Sequence, residues 1–204
     1  MLRFSNCEYL KTIWLQPRKT ISELLESDKR VYILFVLLAG IGLRLDQSSN
    51  NNLADQTSMG YVLISALLFG PIIGLIAWFF YSGLTHLVVR WFGGSGTWRE
   101  TRLVFAWSTI PMIAKLLLWI PLLLFFGSDL FTAVTPTIDS GIGPFSLFML
   151  FGLLELILSI WFFVILSQGL SEVHGFSAWK GFWSVIFLPL ALVVLIVLAV
   201  ILIS

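Results

Sequence analysis

Five times along the chain an apolar stretch approaches or exceeds the length of a bilayer crossing: Val31–Leu45, Gly60–Phe92, Leu103–Phe126, Pro144–Leu170 and Phe182–Ile203. About 20 helical residues cross the hydrocarbon core. Irregular backbone facing lipid leaves N–H and C=O groups unpaired, so each stretch is expected to be helical. The first is short for a span, and Arg44 near its end would snorkel to the interface. The second is too long to stand upright and should tilt, bend or protrude, with Gly70-Pro71 marking the expected kink. Pro111 and Pro121 lie inside the third and Pro189 inside the fifth. The chain is 58% hydrophobic and 11% charged, against about 25% charged in soluble domains. A soluble core of this size cannot hide so much apolar surface. The expected fold class is therefore all-α, a polytopic membrane bundle of five transmembrane helices. A cytoplasmic segment, 1–30, precedes a membrane domain, 31–204.

Topology follows from lysine and arginine. Arg3, Lys11, Arg18, Lys19, Lys29, Arg30, Arg90, Arg99, Arg102 and Lys180 fall in segments that alternate onto one side, and only Arg44 falls on the other. This positive-inside bias predicts a cytoplasmic N-terminus and a C-terminus at the outer face of the cell (plasma or inner) membrane. Trp91, Trp98, Trp179 and Trp183 gather near the expected inner interface, as an aromatic belt would. Within the first segment, PRKTISELLES places Ile21, Leu24 and Leu25 on one face behind Pro17. It predicts a short amphipathic helix, either on the cytoplasmic leaflet or packed on the protein's own loops. The segment has no long apolar run and is not a secretory signal.

Two opposite charges stand inside this apolar frame. Lys115 lies eleven residues before Phe126, and Glu155 lies eleven after Pro144. The two spans are antiparallel, so both charges reach the same depth. Lys115 shares a helix side with Ser108, Met112 and Trp119, and Glu155 with Gly152 and Ser159. A lone charge at the bilayer centre costs about 2.5–3.5 kcal/mol on the insertion scale. An intramembrane ion pair, Lys115–Glu155, is expected. It would serve either as a staple fixing helix register or as the lining of a cavity that binds or relays an ion, proton or lipid head group.

Ala66, Gly70 and Gly74 make a small-residue face for tight helix packing, and Gly70, Pro71, Gly74 and Pro111 are read as packing or kink positions. His86 reads as a hydrogen-bonded interfacial side chain. In GGSGTWRETR, Thr97 and Glu100 stand at capping-box positions. Arg99, Arg102, Glu172 and His174 form a candidate cytoplasmic docking surface. Catalytic signatures are not seen: there is no G-x-S-x-G, H-E-x-x-H or G-K-[ST]. One cysteine, Cys7, excludes an internal disulfide, and with two histidines it leaves no zinc spacing. No cofactor or metal is expected. Net charge of +1 argues against nucleic acid. The expected partners are the lipid bilayer, a protein at the cytoplasmic face and a second copy of the chain.

WLQPRKTISELLES, GPIIG, RWFGGSGTWRETRLVFAWSTIPMI and GLSEVHGFSAWKGF, in this order over nearly the whole chain, resemble the Yip1 family, its prokaryotic branch in particular. The resemblance implies a five-helix membrane bundle with a cytoplasmic N-terminus. Eukaryotic relatives are implicated in vesicle trafficking and association with Rab-type GTPases, and carry a longer cytoplasmic N-terminal region. For the prokaryotic branch the resemblance implies no established activity. A non-enzymatic membrane organiser or adaptor acting through cytoplasmic loops is the expected function. The alternative is a small transporter, channel or lipid-translocating protein using the Lys115–Glu155 site.

Overall fold

The computed structural model describes residues 6–26, 32–187 and 190. Among them the fold is all-α, with seven principal helices: α1 (Asn6–Leu15), α2 (Pro17–Glu26), α3 (Tyr32–Asn50), α4 (Met59–Trp91), α5 (Trp98–Ser108), α6 (Ile110–Phe126) and α7 (Ile142–His174). Short 3-10 turns occupy Leu53–Asp55, Gly127–Phe131 and Ile138–Ser140. Among the described residues, four helical stretches are long and apolar enough to cross a membrane: Tyr32–Asn50, Met59–Trp91, Trp98–Phe131 and Ile142–His174. The fifth expected span, Phe182–Ile203, falls mostly outside the described residues; its beginning, 182–187, is helical. Large apolar side chains stay uncovered along the spans, with Leu68 at 62%, Ile76 at 64% and Leu124 at 81% exposure. Such a surface is unfavourable in water and matches a lipid solvent.

Two expected boundaries move. The first span does not stop at Leu45 but continues to Asn50, carrying Asp46 and Ser49 into α3. The third is two helices, not one, with a break at Thr109. Pro111 has no N–H to give and sits in the first turn of α6, where none is needed.

The chain forms two compact units. The first gathers Met1–Lys29, Phe79–Ser108 and Phe163–Ser204. There α1 and α2 fold back on each other, and Thr20 donates to Thr12 Oγ1 at 2.9 Å. Tyr9 meets Trp107 edge to face, with ring centroids 6.2 Å apart. Arg18 donates to Ser171 Oγ at 2.7 Å. Pro17, Thr20, Ile21 and Leu24 of α2 are buried, so its apolar stripe is turned into the protein. Gly169 makes room for this packing, since a Cβ there would come within 2.7 Å of Val104 Cγ1.

The second unit comprises Arg30–Trp78 and Thr109–Phe162. Here α3 packs along α6, and α3 meets α4 at backbone distance. A Cβ on Gly40 would collide with the Gly70 carbonyl oxygen, and one on Gly74 would lie 2.6 Å from the Val36 carbonyl oxygen. Three glycines thus remove the side chains that would hold two helices apart. Leu45, Val62, Ala66, Trp119, Leu122, Phe126 and Phe131 form the apolar core, with Trp119 stacked on Phe131 at 5.4 Å. Polar bonds tie its connections: Ser49 Oγ donates to the Leu130 carbonyl at 2.6 Å, and Asp129 Oδ2 accepts from the Thr137 N–H at 2.6 Å.

Candidate functional site

In the second unit, three helices bring ionisable side chains to one place. Lys115 Nζ of α6 donates to Asp46 Oδ2 of α3 at 2.8 Å, and lies 3.4 Å from Glu155 Oε2 of α7. Each side chain is partly exposed, 16% for Lys115, 28% for Asp46 and 23% for Glu155. They border a cavity of about 210 Å³ lined also by Ser49, Asn50, Trp119, Leu122, Leu130, Phe148, Phe151 and Gly152. Lys115 and Trp119 are four residues apart on α6, and Gly152 and Glu155 three apart on α7, so helical periodicity aims each pair to one side. Asp46, Ser49 and Asn50 repeat the same spacing on α3. Asp46 lies just past the expected end of the first span at Leu45 and is not among the expected site residues; its i, i+3, i+4 spacing with Ser49 and Asn50 is the signal that could have found it. The cluster holds two carboxylates for one ammonium. Among the described residues no three His, Cys, Asp or Glu side chains group to hold a metal.

In the first unit a second polar cluster joins loops far apart in sequence. The Gly96 N–H donates to His174 Nδ1 at 3.1 Å. That bond makes Nδ1 an acceptor, so neutral His174 carries its hydrogen on Nε2. Nε2 lies 3.0 Å from Thr101 Oγ1, which is also 3.0 Å from His86 Nδ1. Gly94 and Gly96 allow the approach: a Cβ on either would lie 2.9 Å from His174 Nδ1. The loop then enters α5 through a reciprocal cap, the Thr97 N–H donating to Glu100 Oε2 at 2.7 Å and the Glu100 N–H to Thr97 Oγ1 at 3.4 Å.

The expected docking residues divide. Arg99 and Glu172 are exposed. The Arg102 guanidinium stacks 4.7 Å from the Trp98 ring centroid, a cation–π contact. His174 differs from the expectation of a surface residue: it is 2% exposed, because Gly94 and Gly96 bring the backbone of loop 93–96 against its ring. Pro111 and the glycines Gly70 and Gly74 are buried. Pro71 sits within a continuous α4, leaving the Leu67 carbonyl without its helical donor.

The Yip1 domain family model matches residues 11–201. No curated protein and no solved structure matches the chain. With the match spanning nearly its whole length, the chain belongs to the Yip1 family.

Proposed function

We propose that this Yip1-family membrane protein is a non-enzymatic organiser or adaptor that docks a protein partner at the cytoplasmic face through its first unit. The observation that supports this is the use of His174, Thr101 and His86 to pin loop 93–97 to the end of α7. The polar side chains His174, Thr101 and His86 there are spent on each other and on the Gly96 N–H. The outward face of this unit presents Arg90, Arg99, Glu172, Trp179 and Lys180, all exposed. The five-span arrangement, with α2 at the cytoplasmic surface and a fifth span over Phe182–Ile203, belongs to the same reading, as does the plasma or inner membrane location. Its support is the clustering of positive residues in alternate connections.

A photo-cross-linker placed at Arg99 tests the docking role. A discrete adduct is expected in native membranes and should disappear when Arg90 and Lys180 are both changed to Glu without loss of membrane yield. The same adducts from a cross-linker at Asn51 would refute a dedicated surface. A second reading, a small transporter or lipid-translocating protein, is favoured by the cavity beside Asp46, Lys115 and Glu155. Proteoliposome flux that is unchanged in Lys115→Met would eliminate it.

A further inference from the structure

We infer that the cavity bordered by Asp46, Lys115 and Glu155 is a binding site for a small primary ammonium compound carrying a nearby oxygen, the chemistry of ethanolamine. The inference rests on binding alone, and neither the docking role nor transport is needed for it.

Charge sets the first requirement. Two carboxylates face one lysine, so with both carboxylates ionised the cluster has one negative charge in excess. An unmatched charge in a membrane segment is costly, and a second cation relieves it. The lysine leaves room for one. Its short hydrogen bond goes to Asp46 at 2.8 Å, while Glu155 stands 3.4 Å away. A carboxylate offers about four lone-pair sites, most of them still open on Glu155 after that contact. Aromatic walls supply the second requirement: Trp119, Phe148 and Phe151 line the same cavity, and aromatic faces attract ammonium groups.

Hydrogen bonding supplies the third. Trp119 is 5% exposed, and its Nε1 is buried without a hydrogen-bond partner. An indole N–H can only donate, and a buried donor left unpaired is unfavourable. Trp119 lines the cavity, and a ligand oxygen would satisfy the donor once the indole edge turns toward it. Ser49, on the same wall, already gives its hydroxyl hydrogen to the Leu130 carbonyl. At about 210 Å³, the cavity exceeds the ~30 Å³ share of a single water several-fold and admits a head group of a few heavy atoms. A primary ammonium donates N–H bonds to Glu155 and Asp46. A quaternary ammonium cannot, and this sets the expected selectivity.

The ligand chemistry has two sources, a free amino alcohol or a phosphatidylethanolamine head group. Melting of the purified full chain separates them. In detergent without lipid, free ethanolamine should raise the melting temperature and choline should not, if the soluble amine binds. If only the lipid binds, ethanolamine is silent and nanodiscs of phosphatidylethanolamine stabilise the chain relative to phosphatidylcholine. Glu155→Gln should weaken either effect about tenfold, the expectation for one lost charged hydrogen bond, and Glu172→Gln should leave it intact. Should Glu155→Gln fail to fold, labelled ethanolamine on the wild-type chain should be displaced by methylammonium and not by tetramethylammonium, or, for the lipid, phosphatidylethanolamine should co-purify over phosphatidylcholine. The inference is overturned if neither ethanolamine nor its lipid is preferred over the choline counterpart, or if a folded Glu155→Gln chain keeps the full effect. Absent flux with intact binding would remove the transport reading alone.

Discussion

Lys115 stands between two carboxylates of unequal standing, and that asymmetry decides what each substitution does. Asp46 holds the 2.8 Å hydrogen bond and Glu155 the 3.4 Å contact. Lys115→Met leaves two like charges facing each other and should lower stability most, by about 1–3 kcal/mol given partial solvent access. Asp46→Asn should destabilise more than Glu155→Gln. The double variant Lys115→Met/Glu155→Gln should recover only in part, because Asp46 stays unpaired, and adding Asp46→Asn should complete the recovery. Thermal melting in detergent checks the series; full recovery in the double variant would leave Asp46 without a role. Lys115 and Glu155 are legible in the sequence because each is a charge in an apolar run at a matching distance from a span end. Asp46 is not, because LRLDQSSN reads as the polar end of a span. Only packing against α6, where a lysine waits, makes it worthwhile to continue the helix through those residues.

Helix α3 approaches α4 so closely that glycine is required on both. A methyl group on Gly40 has nowhere to go, whereas Gly60 has nothing nearer to its missing Cβ than Ser58 Oγ at 3.8 Å. Gly40→Ala should therefore lower stability by about 1–3 kcal/mol, the usual cost of overpacking, while Gly60→Ala should be near neutral. Comparable melting of the two would refute the close approach. The small-residue face of α4 is readable from the spacing of Ala66, Gly70 and Gly74, but its partner Gly40 is not, since pairing between helices leaves no mark on local periodicity. The loop between α4 and α5 gives a second case. The capping box is visible as Thr97 and Glu100. The burial of His174 is not, because it depends on where loop 93–96 lies in space. His174→Phe removes the acceptor for the Gly96 N–H, so amide exchange across residues 94–97 should accelerate by at least ~10-fold, the loss of about one hydrogen bond. Unchanged exchange would mean that the bond does not hold the loop.

At the scale of the whole chain, apolar runs make the membrane fold legible almost without structure, and the match over residues 11–201 gives it a family. The interleaving of the N-terminal segment with 79–108 and 163–204 in one unit is not legible, since the partners are separated by whole spans. The docking role rests on which side of the membrane the exposed residues of the first unit occupy. That is the measurement to make first. In a Cys7→Ser background, single cysteines at Lys180 and Asn51, both exposed, are probed with a membrane-impermeant maleimide in right-side-out and inverted vesicles. The account predicts that Lys180→Cys is labelled only from the cytoplasmic side and Asn51→Cys only from the other. Labelling of Lys180→Cys from outside would contradict it, because the proposed docking surface would then face away from every cytoplasmic partner.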